Sequence, residues 1–404
     1  MRLYPKGEQK KKLKLMFDAN RWGWNLLVEK IQKEILWGSK ESEVLKLCNG
    51  FLAKKHHPKN LEVTKCHNDC FGSATRDFVK ARKTTMALSK AQKKSTGKGF
   101  IYPDQLRFRS KKFEKGSIEI RARDIKYSFE SRTISFYPTY FGKDEKEIKI
   151  KTNLKKFGIN YACRLQMHHD RFYLNIPYIR EVESIKTTRV CALDPGVRTF
   201  LTGYDPKYRS FEIGKENTHV YSKEKRIDAL KSKLSNEKDI YKRVKLEKRI
   251  RNLYWKIGNC VSDLHHVASK WLVQNYDTIL LSEFETQKIV DKTNKKRNIG
   301  KPTARNMMTL AHYKFKELLK HKCNVYNKKL IICTEEHTTK TCGNCGRLNP
   351  TIGSKKVFKC DCCDYISDRD INAARNIFIK NTNLVDNVLD YLPVSEPAES
   401  KTTK

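Results

Sequence analysis

The chain has 404 residues and carries 84 Lys+Arg against 45 Asp+Glu, a formal net charge of +39. With 38% hydrophobic and 10% aromatic residues it is no disordered basic tail, and its length suits two or three domains with real cores. Charge this dense argues against an ordinary metabolic enzyme; with no apolar run near the roughly 20 residues that span a bilayer, the expected polyanionic partner is nucleic acid, not membrane.

The opening MRLYPKGEQKKKLK lacks the apolar core of a secretory signal. Thirteen cysteines, mostly scattered singly, point to a reducing, intracellular setting. Residues 8–37 read as a helix, because Leu13, Phe17, Trp24, Leu27, Ile31 and Ile35 recur at mostly helical spacing among Lys and Glu. Helix-tending segments continue to about residue 95 and end in a basic stretch, after which Gly97 and Gly99 break the pattern. From there to residue 180 the period changes to two: Ile118/Ile120, Ile134/Phe136 and Ile148/Ile150 alternate with charged residues. YACRLQM (161–167) and RFYLNIPY (171–178) read as a hairpin around His168–Asp170. Short strands at this spacing predict a small β-barrel or sandwich. A first strand Arg2–Tyr4 joining that sheet would make the helical region an insertion in it.

From residue 188 the pattern is mixed α/β. RVCALDPG reads as an apolar strand ending in Asp-Pro-Gly, with further strands near 199–204 and 210–213. A long amphipathic helix follows, carrying Leu246, Ile250, Leu253, Ile257, Val261 and Leu264 on one stripe and Lys and Arg opposite. Then come a strand TILLSEF (278–284), a Lys-rich loop (288–301), a helix over 305–320, a strand LIICTE (330–335) and a helix opening at DRDINAARNIFIK. The polar tail 381–404 is expected to fray.

Cys342-x2-Cys345 and Cys360-x2-Cys363 are separated by fourteen residues. Two such knuckles can present four thiolates tetrahedrally to Zn²⁺, and four protein ligands leave no open position, so the zinc is expected to be structural. Gly343 and Gly346 let the first knuckle turn tightly, and Cys362 is expected to be left out. His56, His57, Cys66, His67 and Cys70 match no common zinc spacing and are read as structural.

Three acids end or begin apolar elements: Asp194 after Val-Cys-Ala-Leu, Glu283 after Ile-Leu-Leu-Ser, and Asp370 at a helix start. Carboxylates converging at one sheet edge are what metal-assisted phosphodiester hydrolysis needs, since Mg²⁺ favours hard oxygen ligands. Singly, each has an ordinary explanation: Asp194-Pro195-Gly196 as a turn, Asp368 or Asp370 as a helix cap.

Together with the cysteine cluster they resemble a known family: TnpB, the RNA-guided nuclease of bacterial insertion sequences, and its eukaryotic and viral relatives called Fanzor. The residues that carry the resemblance are LDPGVRTF (193–200), ILLSEFET (279–286), TTKTCGNCG (338–346) and CDCCDYISDRDINAARNI (360–377), with weaker likeness at RLYPKGEQ (2–9) and YPDQLRFRSKK (102–112). The wording of LDPGVRTF and SEFET resembles Fanzor more than typical bacterial TnpB.

The resemblance implies an α+β multidomain chain. A wedge-like β-barrel domain (1–7 and 100–185) is interrupted by a helical recognition region (8–99). An RNase H-like, RuvC-type α/β nuclease domain (186–337 and 366–380) carries an inserted zinc ribbon (338–365). By resemblance Asp194 is the first catalytic, Mg²⁺-binding carboxylate and Asp370 the third, standing two before the Asn of Asp370-Ile371-Asn372-Ala373-Ala374. The middle acid is Glu283, with Glu335 as the alternative, because some relatives supply it just before the zinc ribbon. Asp368 is then a cap or a support behind the metal ligands, and Glu285 is solvated or a support of the same kind.

A guided nuclease holds a guide RNA and double-stranded target DNA mainly through phosphates. The charge suits that role: basic residues spread over the helical region, the β domain, a 222–258 helix and the 288–301 loop. Arg107, Arg109, Arg121 and Arg123 are expected RNA-backbone contacts, Lys295, Lys296 and Arg297 nucleic-acid contacts, and Trp22 and Trp24 either stack on bases or pack inward. No protein oligomer is required, and a eukaryotic or viral host would place the protein in the nucleus, otherwise the cytoplasm. The competing readings are an RNA-guided binder whose nuclease site has decayed, a zinc-ribbon accessory protein of a transposon, and a DNA-strand transposase; acids at all three positions favour the enzyme.

Overall fold

In the computed structural model β1 (Arg2–Tyr4) is a central strand of a sheet whose next strand in the chain is β2 (Lys115–Ile120). Residues 1–34, 40–53, 57, 62–99, 106–111, 115–142, 144–151, 158–179, 187–207, 209–216, 218–291, 299–334, 336–353 and 355–385 are described. Two compact units result, Met1–Arg180 and Glu181–Lys404.

In the first unit β3 (Ile125–Ser128), β4 (Thr133–Phe136), β5 (Ile148–Ile150), β6 (Cys163–His168) and β7 (Arg171–Asn175) complete a sheet ordered β2-β6-β7-β1-β5-β4-β3. All its pairings are antiparallel, and among the described residues none joins β2 to β3. The β6–β7 hairpin turns at His169, which takes a positive φ of 55°, with His168 opposite Arg171. Between β1 and β2 the chain makes α1 (Gly7–Glu34), α2 (Glu41–Phe51) and α3 (Asp69–Thr96). Gly97 caps α3 in the left-handed region. The helices do not form a body of their own. Leu13, Phe17, Leu27 and Phe78 from them share one core with Ile118, Ile134, Ile148, Leu165 and Phe172 of the sheet. Trp24 joins that core, its indole N–H donating to the Arg107 carbonyl at 3.0 Å, and Trp22 meets Phe71 and His57 edge-on.

The second unit is built on β8 (Val190–Pro195), β9 (Thr199–Asp205), β10 (Arg209–Lys215), β11 (Thr278–Ser282) and β12 (Lys329–Cys333), ordered β10-β9-β8-β11-β12. β8, β9 and β10 meander antiparallel, while β11 runs parallel to both β8 and β12. β11 is buried throughout and β8 everywhere but at Asp194, because both faces are covered. Alternate residues sort to the two faces. Cys191, Leu193, Ile279 and Leu281 face α6 (Ile240–Asn275) and α9 (His312–Tyr326), while Val190, Ala192 and Leu280 face α10 (Arg369–Lys380).

The expected 222–258 helix is two helices, α5 (Thr218–Asn236) and α6, because Asp239 caps α6 with its carboxylate on the Tyr241 and Lys242 amides. Their facing sides form a separate apolar cluster around Val220, Ile227, Ile250 and Ile257. The helix expected over 305–320 is likewise α8 (Lys301–Leu310) and α9, broken where Ala311 takes a φ of 51° and His312 turns inward onto Phe200. A short α7 (Thr286–Val290) precedes α8. The tail begins ordered: Thr382–Leu384 forms one turn and Val385 is buried with Ile377 and Phe378. Among the described residues no helix is long and apolar enough to cross a membrane.

Candidate functional site

Asp194 is the last-but-one residue of β8, and its place in the alternation after Val190 and Ala192 puts it on the face covered by α10. Leu281 stands opposite Leu193, so Glu283 leaves β11 at the same C-terminal edge. Gly196 makes the turn out of β8 possible: a Cβ there would lie 2.7 Å from the Thr199 carbonyl oxygen. Asp370 occupies the first turn of α10, placed by Asp368, whose carboxylate accepts the Asp370 amide at 2.8 Å. Asp368 is therefore the N-cap expected of it.

A cavity of about 720 Å³ opens at this edge, and its wall includes Asp194, Gly196, Arg198, Phe284, Thr338, Arg369 and Asp370. Strand end and helix start thus bring two of the three acids to one space. Glu283 is not among the lining residues; its side chain is exposed and its amide donates to the Cys333 carbonyl at 2.9 Å. Glu335 lies outside the described residues. Glu285 is exposed at the N-cap position of α7.

Two residues beside the cavity gave no sequence signal of their own. Arg369 donates through Nε and Nη2 to one oxygen of Asp370, at 3.2 and 3.0 Å, and through Nη1 to the Gly353 carbonyl at 3.2 Å. Only its position between two acids in Asp368-Arg369-Asp370 hinted at a role. His312 is 4% exposed, stacked on Phe200 at 4.9 Å and meeting Phe284 edge-on at 4.8 Å. Burial pushes its pKa down to about 4, so the ring is a neutral wedge behind the Asp194 turn and the Glu283–Phe284 segment.

The four cysteines converge as the spacing predicts. The Cys342 and Cys363 sulfurs lie 3.7 Å apart, those of Cys345 and Cys360 3.6 Å, and all four ligand atoms fall within 4.8 Å of one another. Sulfurs each about 2.3 Å from a tetrahedral zinc stand about 3.8 Å apart, so the four fit that ion. The Asn344 and Cys362 amides donate to the Cys342 and Cys360 sulfurs at 3.4 and 3.3 Å, favouring thiolates. Cys362 is exposed and outside the group. The hairpin β13 (Val357–Lys359) and β14 (Ile366–Asp368) carries the second knuckle directly into α10. Two buried asparagines of α10 clamp the first knuckle: Asn372 accepts the Gly343 amide and donates to the Thr341 carbonyl, both at 2.8 Å, and Asn376 donates to the Thr338 and Thr341 carbonyls.

No second metal group forms among the described residues of the 56–70 stretch. His57 bonds the Leu52 carbonyl, His67 stacks on Tyr137, Cys66 meets the Tyr140 hydroxyl and Cys70 is buried; His56 lies outside the described residues.

Of the arginines, Arg107, Arg121 and Arg123 are exposed, Arg121 reaching Asp69 at 3.5 Å. Arg109 is held instead: its guanidinium sits 3.8 Å over the Trp24 ring and donates to Asn20 at 3.1 Å. Lys295, Lys296 and Arg297 lie outside the described residues.

A family model described as the Cas12f1-like TNB domain matches residues 312–377, from α9 through the cysteine module into α10. The helix-turn-helix domain model of IS605 OrfB proteins matches residues 1–36. A TnpB-like protein of Acanthamoeba polyphaga mimivirus is 29% identical over 252 residues, covering 60% of this chain and 46% of the relative. The CRISPR-associated endodeoxyribonuclease Cas12f1 of Sulfoacidibacillus thermotolerans is 28% identical over 232 residues, 54% of this chain and 53% of the relative. These matches support membership of the TnpB family. It spans about half the length of the curated relatives it matches. In three dimensions it is similar to Cas12f1 solved as a complex with sgRNA and target DNA, with a TM-score of 0.53 at 12% identity over 92% of this chain and 83% of the solved one. A likeness at that identity speaks for the fold, a mixed α and β architecture shared with Cas12f1.

Proposed function

We propose that the protein is an RNA-guided DNA endonuclease of a transposable element, cutting target DNA by Mg²⁺-dependent phosphodiester hydrolysis. The observation that carries this reading is the shared cavity of Asp194 and Asp370. We read the β10-β9-β8-β11-β12 sheet as a RuvC-type, RNase H-like core, which its meander followed by two parallel strands supports. The cysteine module is then its inserted zinc ribbon.

Both acids are half-buried hard oxygen donors, the ligand type that suits Mg²⁺. Asp194, Asp370 and a middle acid, Glu283 or Glu335, would hold the ion. When bound, Mg²⁺ makes water a nucleophile at neutral pH and offsets charge on the leaving oxygen. The chain's own part is to keep the two carboxylates on one wall: β8 fixes Asp194, and the Asp368 cap fixes Asp370.

A guide RNA and target duplex would be held by the +39 charge, with exposed Arg107, Arg121 and Arg123 on their backbones. Arg109, occupied by Trp24, is better placed to shape that surface than to grip a phosphate. The mimivirus relative supports a Fanzor-like, viral or eukaryotic member, for which a nuclear location is the corresponding proposal.

The test is to purify the protein from cells expressing its element, sequence the co-purified RNA, and offer a matching DNA with and without Mg²⁺. Cutting that needs the RNA and the metal and is lost in Asp194→Ala and Asp370→Ala supports the reading. RNA-dependent DNA binding without cutting would leave the decayed-nuclease alternative. Separate Glu283→Ala and Glu335→Ala variants identify the middle acid by which one abolishes cutting.

A further inference from the structure

The cavity wall carries an arginine for which the carboxylate site gives no account. Arg369 is the first residue of α10 and immediately precedes Asp370. All three guanidinium nitrogens are engaged: two on a single Asp370 oxygen, the third on the Gly353 carbonyl of the cysteine module. Its side chain is 19% exposed and its backbone amide donates to the Lys356 carbonyl at 2.8 Å, so it is held at both ends. The other arginine of the wall, Arg198, is exposed.

We propose that Arg369 is a catalytic residue that receives a phosphate oxygen of the nucleic-acid strand, and that the cysteine module holds it in place. The inference rests on the endonuclease reading. Acids that hold a cation also repel a phosphodiester, so the site needs a fixed positive group directed at the phosphate. A guanidinium is always charged and presents its donors as a planar fork. Donors fixed in advance where charge develops stabilise the transition state without reorganising. Because Arg369 rests on Asp370 before the strand arrives, it also lowers that carboxylate's attraction for a free cation. The arriving phosphate offers the fork a second anion, and the Gly353 carbonyl keeps the guanidinium from swinging away. Zinc in the module would thus act on the cutting site through one side chain, as well as through the Asn372 and Asn376 clamp.

The experiment compares wild type, Arg369→Ala and Arg369→Lys in two measurements: Mn²⁺ binding by electron paramagnetic resonance without nucleic acid, and cutting by the RNA-loaded protein at saturating metal. Arg369→Ala is expected to bind Mn²⁺ as tightly as wild type or several-fold tighter, yet to cut about 100-fold more slowly. Arg369→Lys keeps the charge without the fork and is expected to fall between them. If Arg369→Ala binds Mn²⁺ more weakly and excess Mn²⁺ restores cutting, Arg369 only aligns Asp370 and the proposal is overturned. It is also overturned if the alanine variant cuts like wild type. A wild type whose Mn²⁺ signal is indifferent to Asp194→Ala and which cuts nothing sinks the endonuclease reading itself, a result distinct from either.

Discussion

The carboxylate of Asp368 accepts a hydrogen bond from the backbone N–H of Asp370 at 2.8 Å. Of two acids two residues apart, one therefore builds the helix end and the other is left facing the cavity. Their substitutions should separate. Asp368→Ala is expected to cost about 1 kcal/mol of stability, the usual value of a lost N-cap, and to reduce cutting only partly. Asp370→Ala is expected to abolish cutting with little change in melting temperature. Thermal melts and a cleavage assay on both variants check this; loss of cutting in Asp368→Ala at unchanged stability would reverse the assignment.

Zinc removal should unfold the module before the rest of the unit. Its apolar cluster is small, Ile352 and Phe358 with the cysteines, so the ion carries much of its stability. A strong chelator is expected to release one zinc per chain and expose the 342–363 segment to proteolysis. Cys342→Ser, Cys345→Ser, Cys360→Ser and Cys363→Ser should each lose the metal, and Cys362→Ser should keep it. Zinc content by mass spectrometry decides.

Asn372 is fully buried and serves both an amide and a carbonyl of the first knuckle. Asn372→Ala leaves the Gly343 amide and the Thr341 carbonyl short of a partner, each unmade bond costing about 1–3 kcal/mol. A drop in melting temperature with weaker zinc retention is expected. Unchanged values for both would mean that the clamp contributes nothing.

His312 makes stability depend on pH. Its folded pKa of about 4 lies below the ordinary 6.5, so between those values the unfolded chain binds a proton that the folded chain does not. Stability is therefore fully present above pH 6.5 and lost as pH falls toward 4. Integrated over that window, the loss is on the order of 3 kcal/mol for this one ring. Urea titrations of wild type and His312→Gln across the window should give a shallower slope for the variant; equal slopes would place the proton elsewhere.

Much of this architecture is legible locally. The β6–β7 hairpin, the β1 strand in its sheet and the cysteine module follow from period, turn residues and spacing, because each is specified within a few residues. The errors fall where local rules yield to packing. One expected helix became α5 and α6 because Asp239 offers a cap, and another broke at Ala311 because His312 gains a place against Phe200. The polar face of the helical insertion hides how much of it is buried, for Leu13, Phe17 and Phe78 close the core of the sheet.

The site divides the same way. Its acids stood out because each ends or begins an apolar element, and the +39 charge marked nucleic acid before any motif did. Residue order alone could not bring Asp194 and Asp370 to one wall, since that depends on α10 crossing β8. Nor could it show Arg369 spanning Asp370 and Gly353. Composition and spacing determine which chemistry the chain can hold; long-range packing decides which of those groups meet, because a side chain's neighbours are set by the core it helps to close.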